Sequence, residues 1–330
     1  MSFIPPFNFH DVVVAPWTTG LNTHGWIMLM GFFVAAACGL VGNYLILRRM
    51  ALVGDAISHS VLPGLAIGFL LANSRGSTVM FLGALGAGIV TTFIIELIHR
   101  KSRVKQDAAI GITFSSLFAI GVIIISLFAS KVDLDQDCVL YGEIGNVPLE
   151  LPYVNLGPLT FGPPTVVRMG LVTLCVAVLI GLFYKELLIS SFDPGLAVSV
   201  GINATAIHYC LMAALSVVVV SAFESVGAIL VIAMLVLPGA TASLLSHRLP
   251  LMFGLTILHA ALSAVLGVHL GLWLDCSLAG AMVVMGAALF TLAWFFSPTR
   301  GLLRRWFRRP ISDSAMPEAS AVKGCPSIQS

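Results

Sequence analysis

The segment WIMLMGFFVAAACGLVGNYLIL, residues 26–47, indicates the fold, because none of its 22 residues is charged. An α-helix of this length, at about 1.5 Å per residue, is roughly 33 Å long, which matches the hydrocarbon thickness of a bilayer. Similar apolar segments recur along the 330-residue chain, which is 58% hydrophobic and 10% charged, with a mean hydropathy of +1.01. Soluble domains carry about 25% charged residues. The composition therefore predicts an all-α, polytopic membrane protein.

The apolar segments predict nine transmembrane helices, with eight as the alternative. The alternative arises from the long connection at 130–165, which contains VLYGEIGNVPLEL, residues 139–151, a sequence suited to a short surface or re-entrant helix. The nine predicted helices lie near residues 26–47, 50–72, 77–99, 108–129, 166–184, 204–223, 226–246, 251–273 and 277–297.

Lysine and arginine are distributed unequally between the two sides of these helices. One side holds only Arg75, Lys131 and Arg168. The connections after the odd-numbered helices are far richer in basic residues and hold Arg48, Arg49, Arg100, Lys101, Arg103, Lys105, Lys185, Arg248, Arg300, Arg304, Arg305, Arg308 and Arg309. Because cytoplasmic loops collect Lys and Arg, we predict that the N-terminus is outside and the C-terminus is cytoplasmic.

The predicted helices divide the chain into three parts. Residues 1–25 form an extracytoplasmic N-terminal segment, which contains no Lys or Arg and so lacks the basic start of a signal peptide. Residues 26–297 form the transmembrane domain, and residues 298–330 form a basic cytoplasmic stretch followed by a disordered polar tail. The formal net charge of +2 is too small to indicate a nucleic-acid partner.

Asp55 and His59 lie in ALVGDAISHSVLPGL, residues 51–65, inside a predicted span. A charged side chain deep in a bilayer costs about 2.5 to 3.5 kcal/mol, so such a residue needs a partner, a cavity or a function. Positions i and i+4 share a helix face, and carboxylate with imidazole suits a divalent metal such as Mn, Zn or Fe. The spacing equally allows a hydrogen bond that joins two helices. Pro63 cannot donate to the His59 carbonyl, which predicts a kink beside the pair.

Three stretches resemble the membrane permease subunits of bacterial ABC importers for manganese, zinc or iron. They are RRMALVGDAISHSVLPG at residues 48–64, SFDPGLAVSVG at 191–201 and VGAILVIAMLVLPGATASLL at 226–245. The resemblance extends in order from about residue 26 to residue 297. It implies that Asp55 and His59 are metal ligands on the translocation path of a protein in the bacterial cytoplasmic membrane.

The resemblance also implies partners. An extracytoplasmic metal-binding protein delivers the ion, cytoplasmic ATP-binding subunits drive transport, and a second permease copy or a paralogue completes a dimer. Two Asp–His pairs would supply four ligands, which one pair does not. The metal is then cargo, and no permanently bound cofactor is expected.

The second stretch has the local signals of a short surface helix. Asp193 suits an N-cap, Pro194 the first turn and Gly201 the end of the helix. The resemblance implies that this helix couples the permease to its ATPase, with Asp193, Pro194, Ala197 and Gly201 matching the family pattern. In the third stretch, Pro238 predicts a second kink, and we interpret Pro63 and Pro238 as gating kinks.

Other chemically active residues favour structural interpretations. We predict that His208, His259 and His269 are hydrogen-bonded interior or interfacial groups and that Met234 is a packing residue. Glu224 lies in a predicted outer hairpin, where solvation explains it. Cys138 and Cys276 are both predicted outside, and the sequence does not place them within bonding distance. The glycine-rich segments GALGAG, residues 83–88, and GVHLG, residues 267–271, predict close helix packing.

The chain lacks two motifs that would indicate other functions. Without G-x-x-x-x-G-K-[ST] it has no Walker site, so ATP hydrolysis is expected in separate subunits and no catalytic residue is assigned. Without H-E-x-x-H, an intramembrane metalloenzyme is a weaker alternative. An ion-coupled secondary metal carrier is the other alternative, although no clear internal repeat is visible. Dependence of transport on ATP distinguishes the carrier from the importer.

Overall fold

The computed structural model describes residues 5–72, 77–128, 144–156 and 159–297. These residues are helical except for connections and one antiparallel hairpin, which is formed by β1 (Val154–Leu156) and β2 (Leu159–Gly162). A π-helical turn, His10–Val14, precedes the first α-helix, and a 3₁₀-helix, Ile144–Leu149, precedes the hairpin. The α-helices are α1 (Ala15–Thr18), α2 (Leu21–Leu47), α3 (Val53–Ala72), α4 (Ser77–Lys101), α5 (Gln106–Phe128), α6 (Pro164–Leu182), α7 (Tyr184–Phe192), α8 (Pro194–Ser199), α9 (Ala204–Leu245), α10 (Leu249–Leu274) and α11 (Leu278–Phe296).

The predicted all-α membrane architecture is confirmed. Among the described residues, eight helices are long and apolar enough to cross a membrane, and Leu230–Leu245 adds a shorter apolar helix. The first span begins at Leu21 rather than at residue 26, because a helix can continue beyond the apolar stretch that marks the hydrocarbon. The 3₁₀-helix lies in the segment where the sequence predicted a short helix, whereas the β-hairpin after it was not predicted.

Helix α9 consists of two segments that are separated at Gly227. The backbone of Gly227 has φ 74° and ψ 167°, a conformation open to glycine and strained for other residues. We name the segments α9a, residues 204–226, and α9b, residues 228–245. The break lies beside the hairpin that the sequence predicted around residue 224, so α9a and α9b account for the sixth and seventh predicted spans.

Helix α10 lies antiparallel to both α2 and α11, so α2 and α11 run in the same direction. The contacts that establish this pair Gly31 with Ala264, Gly39 with Thr256, Gly267 with Met282 and Gly271 with Leu278. The start and the end of α9 lie at the end of the bundle where α2 and α11 terminate. His208 contacts Arg48 after α2, and Leu244 accepts a hydrogen bond from Ser297 after α11. The chain therefore reverses direction at Gly227.

The same end of the bundle collects the basic connections. Arg48 bonds to Ser190 and Ser191 of α7, and Arg248 lines a groove with Tyr184 and Phe192 at the two ends of that helix. Helices α7 and α8 thus lie at the basic end, as the predicted cytoplasmic side requires. The orientation of this end in a membrane stays a prediction.

Glycines hold the helices at backbone distance, as the glycine-rich segments predicted. A Cβ on Gly83 of α4 would overlap the carbonyl oxygen of Gly64 on α3, and a Cβ on Gly42 of α2 would overlap the carbonyl oxygen of Leu235 on α9b. Small residues permit this approach where no hydrophobic force draws helices together in lipid. Gly86 lies in the same segment as Gly83 but has open space beside it, because a Cβ added there would meet no heavy atom of the other described elements within 4 Å.

Candidate metal site and coupling helix

Asp55 and His59 form a pair near the start of α3. His59 Nε2 lies 3.3 Å from Asp55 Oδ1, and the side chains of His59 and Asp55 are 37% and 41% exposed in the single chain. Asp55 belongs to the first turn of the helix, where the partial positive charge of the helix N-terminus favours a carboxylate. The sequence prediction that the two residues share a face is therefore confirmed.

The pair lies at mid-depth of the helical bundle. Ile57 lies between the two residues and packs against Gly88, which is halfway along α4. Gly88 in turn packs against Ser216, which is halfway along α9a. A Cβ added to Gly88 would lie 3.3 Å from Ile57 Cγ2 and 3.4 Å from Ser216 Cβ. The second turn of α3, which lies between Asp55 and His59, is therefore at a depth that α4 and α9a reach in their middle.

Aromatic rings of α5 lie beside the imidazole. The ring centroid of His59 is 5.8 Å from that of Phe114 and 6.2 Å from that of Phe118. These rings give the pair an apolar wall on the α5 side and leave its remaining face open. Apolar surroundings strengthen electrostatic interactions between the pair and a bound ion, because they lower the local dielectric constant.

The geometry of the pair is compatible with two ligands of one ion and with a weak hydrogen bond. A separation of 3.3 Å exceeds the usual range of about 2.7 to 3.2 Å for a strong hydrogen bond. Two ligands at about 2.1 Å from a tetrahedral metal are roughly 3.4 Å apart. Among the residues that the structure describes, no group of three or more His, Cys, Asp or Glu side chains could hold a metal. The described part of one chain thus offers two such ligands for an ion.

The two prolines that the sequence singled out lie inside continuous helical segments. Helix α3 runs through Pro63, which packs against the position of Gly121 in α5. Segment α9b runs through Pro238, which packs against Gly39 of α2. A Cβ added to Gly39 would lie 3.0 Å from the Cβ atom of Pro238. The break in α9 is at Gly227 and not at Pro238, so the sharpest change of backbone direction in this helix comes from a glycine.

Helix α8 has the caps that the sequence predicted. Asp193 Oδ1 accepts a hydrogen bond of 3.0 Å from the Leu196 amide, and Pro194 occupies the first turn. Gly201 has φ +83°, and its amide and that of Ile202 bond back to the carbonyls of Val198 and Ala197. This Schellman ending requires a left-handed residue at position 201, which explains the glycine.

The surface of α8 is divided between a buried and an exposed side. Ala197 is completely buried, whereas Leu196 and Val198 are exposed. The neighbouring Phe192 and Val200 are exposed as well, at 66% and 57%. Exposed apolar groups clustered on a short surface element are typical of a protein-binding site.

The histidine predictions hold fully in two of three cases. His269 accepts a hydrogen bond from the Trp17 indole, and His208 lies between Arg48 and Glu96. The prediction holds in part for His259, which is a buried interior residue, but whose Nε2 has no hydrogen-bond partner in the described part of the chain.

Three further sequence predictions concern Met234, Glu224 and Cys138. Met234 is a buried packing residue, as predicted, and its sulfur accepts a long contact from Ser263. The side chain of Glu224 and all of Cys138 lie outside the described residues.

Sequence reasoning missed Arg48 and Glu96 as functional candidates. Glu96 is a buried carboxylate within α4, and an ionisable residue inside a span is the signal that could have identified it.

Comparison with known proteins identifies the family. The model of the ABC 3 transport family matches residues 22–297. The chain belongs to this family. Its fold, a polytopic bundle with α7 and α8 at the basic end, is therefore that of an ABC transport permease, and the resemblance seen in the three sequence stretches is confirmed.

Individual relatives agree with this assignment. The chain is 42% identical to the manganese transport system membrane protein MntD of Bacillus subtilis over 288 residues, which cover 87% of this chain and 97% of the relative. It is 45% identical to the zinc transport system membrane protein TroD of Treponema pallidum, covering 84% of this chain and 75% of the relative. Among solved structures, PsaBC from Streptococcus pneumoniae in complex with Fab has a TM-score of 0.72 and 34% identity, covering 89% of this chain and 100% of that one.

Proposed function

We propose that this chain is the membrane permease subunit of an ATP-driven importer of a divalent transition metal, which is Mn, Zn or Fe. The observation that carries the proposal is the Asp55–His59 pair, held at mid-depth of the bundle on a face that the single chain leaves open. Relatives of similar length are named for manganese and for zinc transport. Carboxylate and imidazole together bind all three metals, so the donor set supports the class and not one ion.

The exposure of the pair supports a dimer. At mid-depth, a charged residue facing hydrocarbon would cost about 2.5 to 3.5 kcal/mol, so the open face needs a partner or a water-filled path. A second copy or a paralogue that presents the same face would bring two Asp–His pairs together. Four ligands of this kind complete the coordination of an ion that has lost most of its water. The ion then passes between the two chains.

The two ends of the bundle have different partners in this proposal. An extracytoplasmic metal-binding protein delivers the ion to the end opposite the basic connections. At the basic end, α8 docks on a cytoplasmic ATP-binding subunit through the exposed side chains around Leu196 and Val198. Closure of the ATPase moves α8 and so alters access to the metal pair, with Pro63 and Pro238 as bending points of α3 and α9b.

Reconstitution of the complete complex tests this function. Proteoliposomes that contain the permease and its ATP-binding subunits, with ATP inside and metal-loaded binding protein outside, should accumulate radiolabelled Mn(II) or Zn(II). A non-hydrolysable ATP analogue should prevent accumulation. Uptake that follows an ion gradient and ignores ATP would instead identify a secondary carrier, and metal-dependent turnover of a substrate without uptake would identify an intramembrane metalloenzyme.

Coupling through α8 can be tested at Gly201. Gly201→Val should strongly reduce metal-stimulated ATP hydrolysis, because a left-handed conformation costs a residue with a side chain about 1 to 2 kcal/mol and a β-branched residue more. Gly201→Asn should retain most of the coupling, because Asn tolerates this conformation. Metal binding to the permease should be unchanged in both variants.

A glycine at the same end of the bundle supplies the control for this experiment. Gly254 is helical and has open space at its Cβ position, so Gly254→Val should leave ATP hydrolysis close to normal. Equal hydrolysis in Gly201→Val and Gly201→Asn would show that the shape of this helix does not matter for coupling.

A further inference from the structure

Six polar side chains at the basic end of the bundle form one connected group, which we call the Arg48–Glu96 cluster. Its members are Arg48, Glu96, Arg100, Ser190, Ser191 and His208. The Arg48 guanidinium donates to Ser191 Oγ at 3.0 Å and to Ser190 Oγ at 2.9 Å, and its Nη1 lies 3.1 Å from His208 Nδ1. His208 Nε2 lies 3.0 Å from Glu96 Oε2, and Arg100 pairs with the other Glu96 oxygen.

The contacts of His208 give its two ring nitrogens different hydrogen-bonding roles. Arg48 can only donate, so His208 Nδ1 must accept, and the carboxylate of Glu96 can only accept, so His208 Nε2–H must donate. The neutral tautomer with its proton on Nε2 satisfies both neighbours at once. His208 therefore links a cation to an anion, and each of its two ring nitrogens is used.

The charges of the cluster are unsuited to a metal site. Glu96 and His208 alone would resemble the pair on α3, but Arg48 and Arg100 lie within bonding distance of them. The side chain of Glu96 is 9% exposed and that of His208 is 13% exposed, so the Arg48 guanidinium acts on His208 at short range with little screening by water, whereas the Arg100 side chain is 45% exposed. Burial lowers the pKa of Arg48, yet a guanidinium keeps its charge at neutral pH. The cluster therefore repels a dication. Its bonds instead connect α2, α4, α7 and α9a.

The elements that carry the cluster lead either to the coupling helix α8 or to helix α3, which carries the metal pair. Ser190 and Ser191 lie at the end of α7, and only Phe192 separates Ser191 from the Asp193 cap of α8. Glu96 lies on α4, which packs at backbone distance against α3. Arg48 ends α2 and precedes the metal pair on the chain. The cluster thus joins the coupling helix to α4, which packs against α3, and to the end of α2, from which the chain leads into α3.

The connection between Arg48 and the metal pair is short and well ordered by hydrogen bonds. The Arg49 amide bonds to the Ile46 carbonyl and the Met50 amide to the Leu45 carbonyl, which is a Schellman ending of α2. Arg49 takes the left-handed position with φ 59°, where glycine is usual. Helix α3 begins at Val53, whose amide bonds to Met50. A displacement of Arg48 is therefore passed to α3 by only a few fixed residues.

We propose that Arg48, His208 and Glu96 are positioning residues that transmit the displacement of α8 to α3 and α4, so that ATP hydrolysis and movement of the metal pair occur together. This inference rests on the proposed function of α8 as the coupling helix. None of the three residues touches the ion. Their bonds hold the end of α7 to α2, α9a and α4 as one unit, and loss of these bonds lets α8 move without moving the metal pair.

The central test is the number of ATP molecules hydrolysed per ion imported by the complete transporter in proteoliposomes. Arg48→Lys keeps the positive charge but replaces a planar fork of donors by a single ammonium, which cannot keep all three bonds. The ATP-to-metal ratio should rise on the order of tenfold, as expected for loss of hydrogen bonds to a charged group. Arg49→Lys is the matched control, because Arg49 is exposed and carries the same charge one residue away; its ratio should stay normal.

A double-mutant cycle tests whether the residues act as one connection. His208→Ala removes the link between Arg48 and Glu96, so it should raise the ratio as well. The double variant Arg48→Lys/His208→Ala should be no more uncoupled than Arg48→Lys alone, since loss of the Arg48 bonds already breaks the connection in which His208 takes part. Additive effects would show that the residues act separately and would overturn the inference.

A second control distinguishes transmission from simple stability. Asn43 donates a hydrogen bond of 2.9 Å to Thr256 between α2 and α10, away from the cluster. Thr256→Val should lower the melting temperature of the purified complex without changing its ATP-to-metal ratio. If the cluster variants changed only the melting temperature, as Thr256→Val does, the residues would be structural and the inference wrong.

The Gly201 variants separate the two proposals. If Gly201→Val uncouples the transporter and the cluster variants do not, the transmission route is wrong while the role of α8 stands. If Gly201→Val leaves metal-stimulated ATP hydrolysis unchanged and the cluster variants leave the ratio unchanged, the role of α8 is wrong and the inference falls with it. Reduced metal-stimulated hydrolysis in Gly201→Val and an increased ratio in the cluster variants, with normal metal binding to the permease in all of them, is the result that we expect.

Discussion

Asp55→Asn is expected to lower metal uptake more than about 100-fold, because even the loss of a hydrogen-bond partner of a metal ligand typically costs about 10- to 100-fold. The substitution preserves the shape of the side chain and removes its negative charge. If Asp55 only joined helices through a hydrogen bond to His59, the amide would keep part of that contact, and uptake would remain close to normal. The measurement is uptake of radiolabelled Mn(II) or Zn(II) by proteoliposomes that contain the complete transporter.

The controls for this prediction come from the same chain. Asp107 is an exposed aspartate in the first turn of α5, so Asp107→Asn removes an equivalent charge from an equivalent helix position and should leave uptake intact. His59→Gln keeps a polar side chain without the imidazole nitrogen and should lower uptake as Asp55→Asn does. Near-normal uptake by both Asp55→Asn and His59→Gln, with dimer assembly verified, would mean that the ion passes elsewhere.

The second large effect concerns stability and involves Gly83. Gly83→Ala should destabilise the protein by at least about 1 to 3 kcal/mol, the usual range for overpacking, because the new methyl group meets the Gly64 carbonyl oxygen and a backbone cannot rotate away as a side chain does. Helices α3 and α4 would have to separate along the surface that positions the metal pair. The melting temperature of the purified protein and the yield of folded protein measure the effect.

Gly86 makes this test specific. Gly86→Ala changes the same residue type three positions later on α4, where the new methyl group meets no atom of another described element within 4 Å. Alanine is a better helix former than glycine by about 1 kcal/mol, so this variant should be as stable as the native protein or slightly more stable. Equal destabilisation by Gly83→Ala and Gly86→Ala would contradict the close approach of α3 and α4.

Features set by local chemistry could be predicted from the sequence. The caps of α8 are an example, because the Asp193 side chain and the Gly201 backbone act within one or two turns of the chain. The all-α membrane architecture was predictable for a similar reason, since each apolar stretch is by itself long enough to indicate a helix in lipid, although eight spans and one shorter apolar helix are found among the described residues where nine spans were predicted. The shared face of Asp55 and His59 follows from the helical period alone.

Features set by contacts between distant segments could not be predicted. The depth of α3 depends on packing of Ile57 against Gly88, beside Ser216, and nothing within residues 48–64 encodes it. The partners in the Arg48–Glu96 cluster are separated by 160 residues for Arg48 and His208 and by 112 for His208 and Glu96. The charge pattern placed Arg48 on the predicted cytoplasmic side but could not pair it with His208 or Glu96.

The position of Asp55 in the first turn of α3 has a consequence for how long an ion stays. The start of a helix carries roughly half a positive charge, which stabilises the carboxylate and at the same time repels a cation bound beside it. The same two ligands in the middle of a helix would retain a dication more tightly. In the proposed transporter, the placement of this helix start therefore shortens the residence time of each ion, and rapid dissociation is what turnover requires of a site that must empty in every cycle.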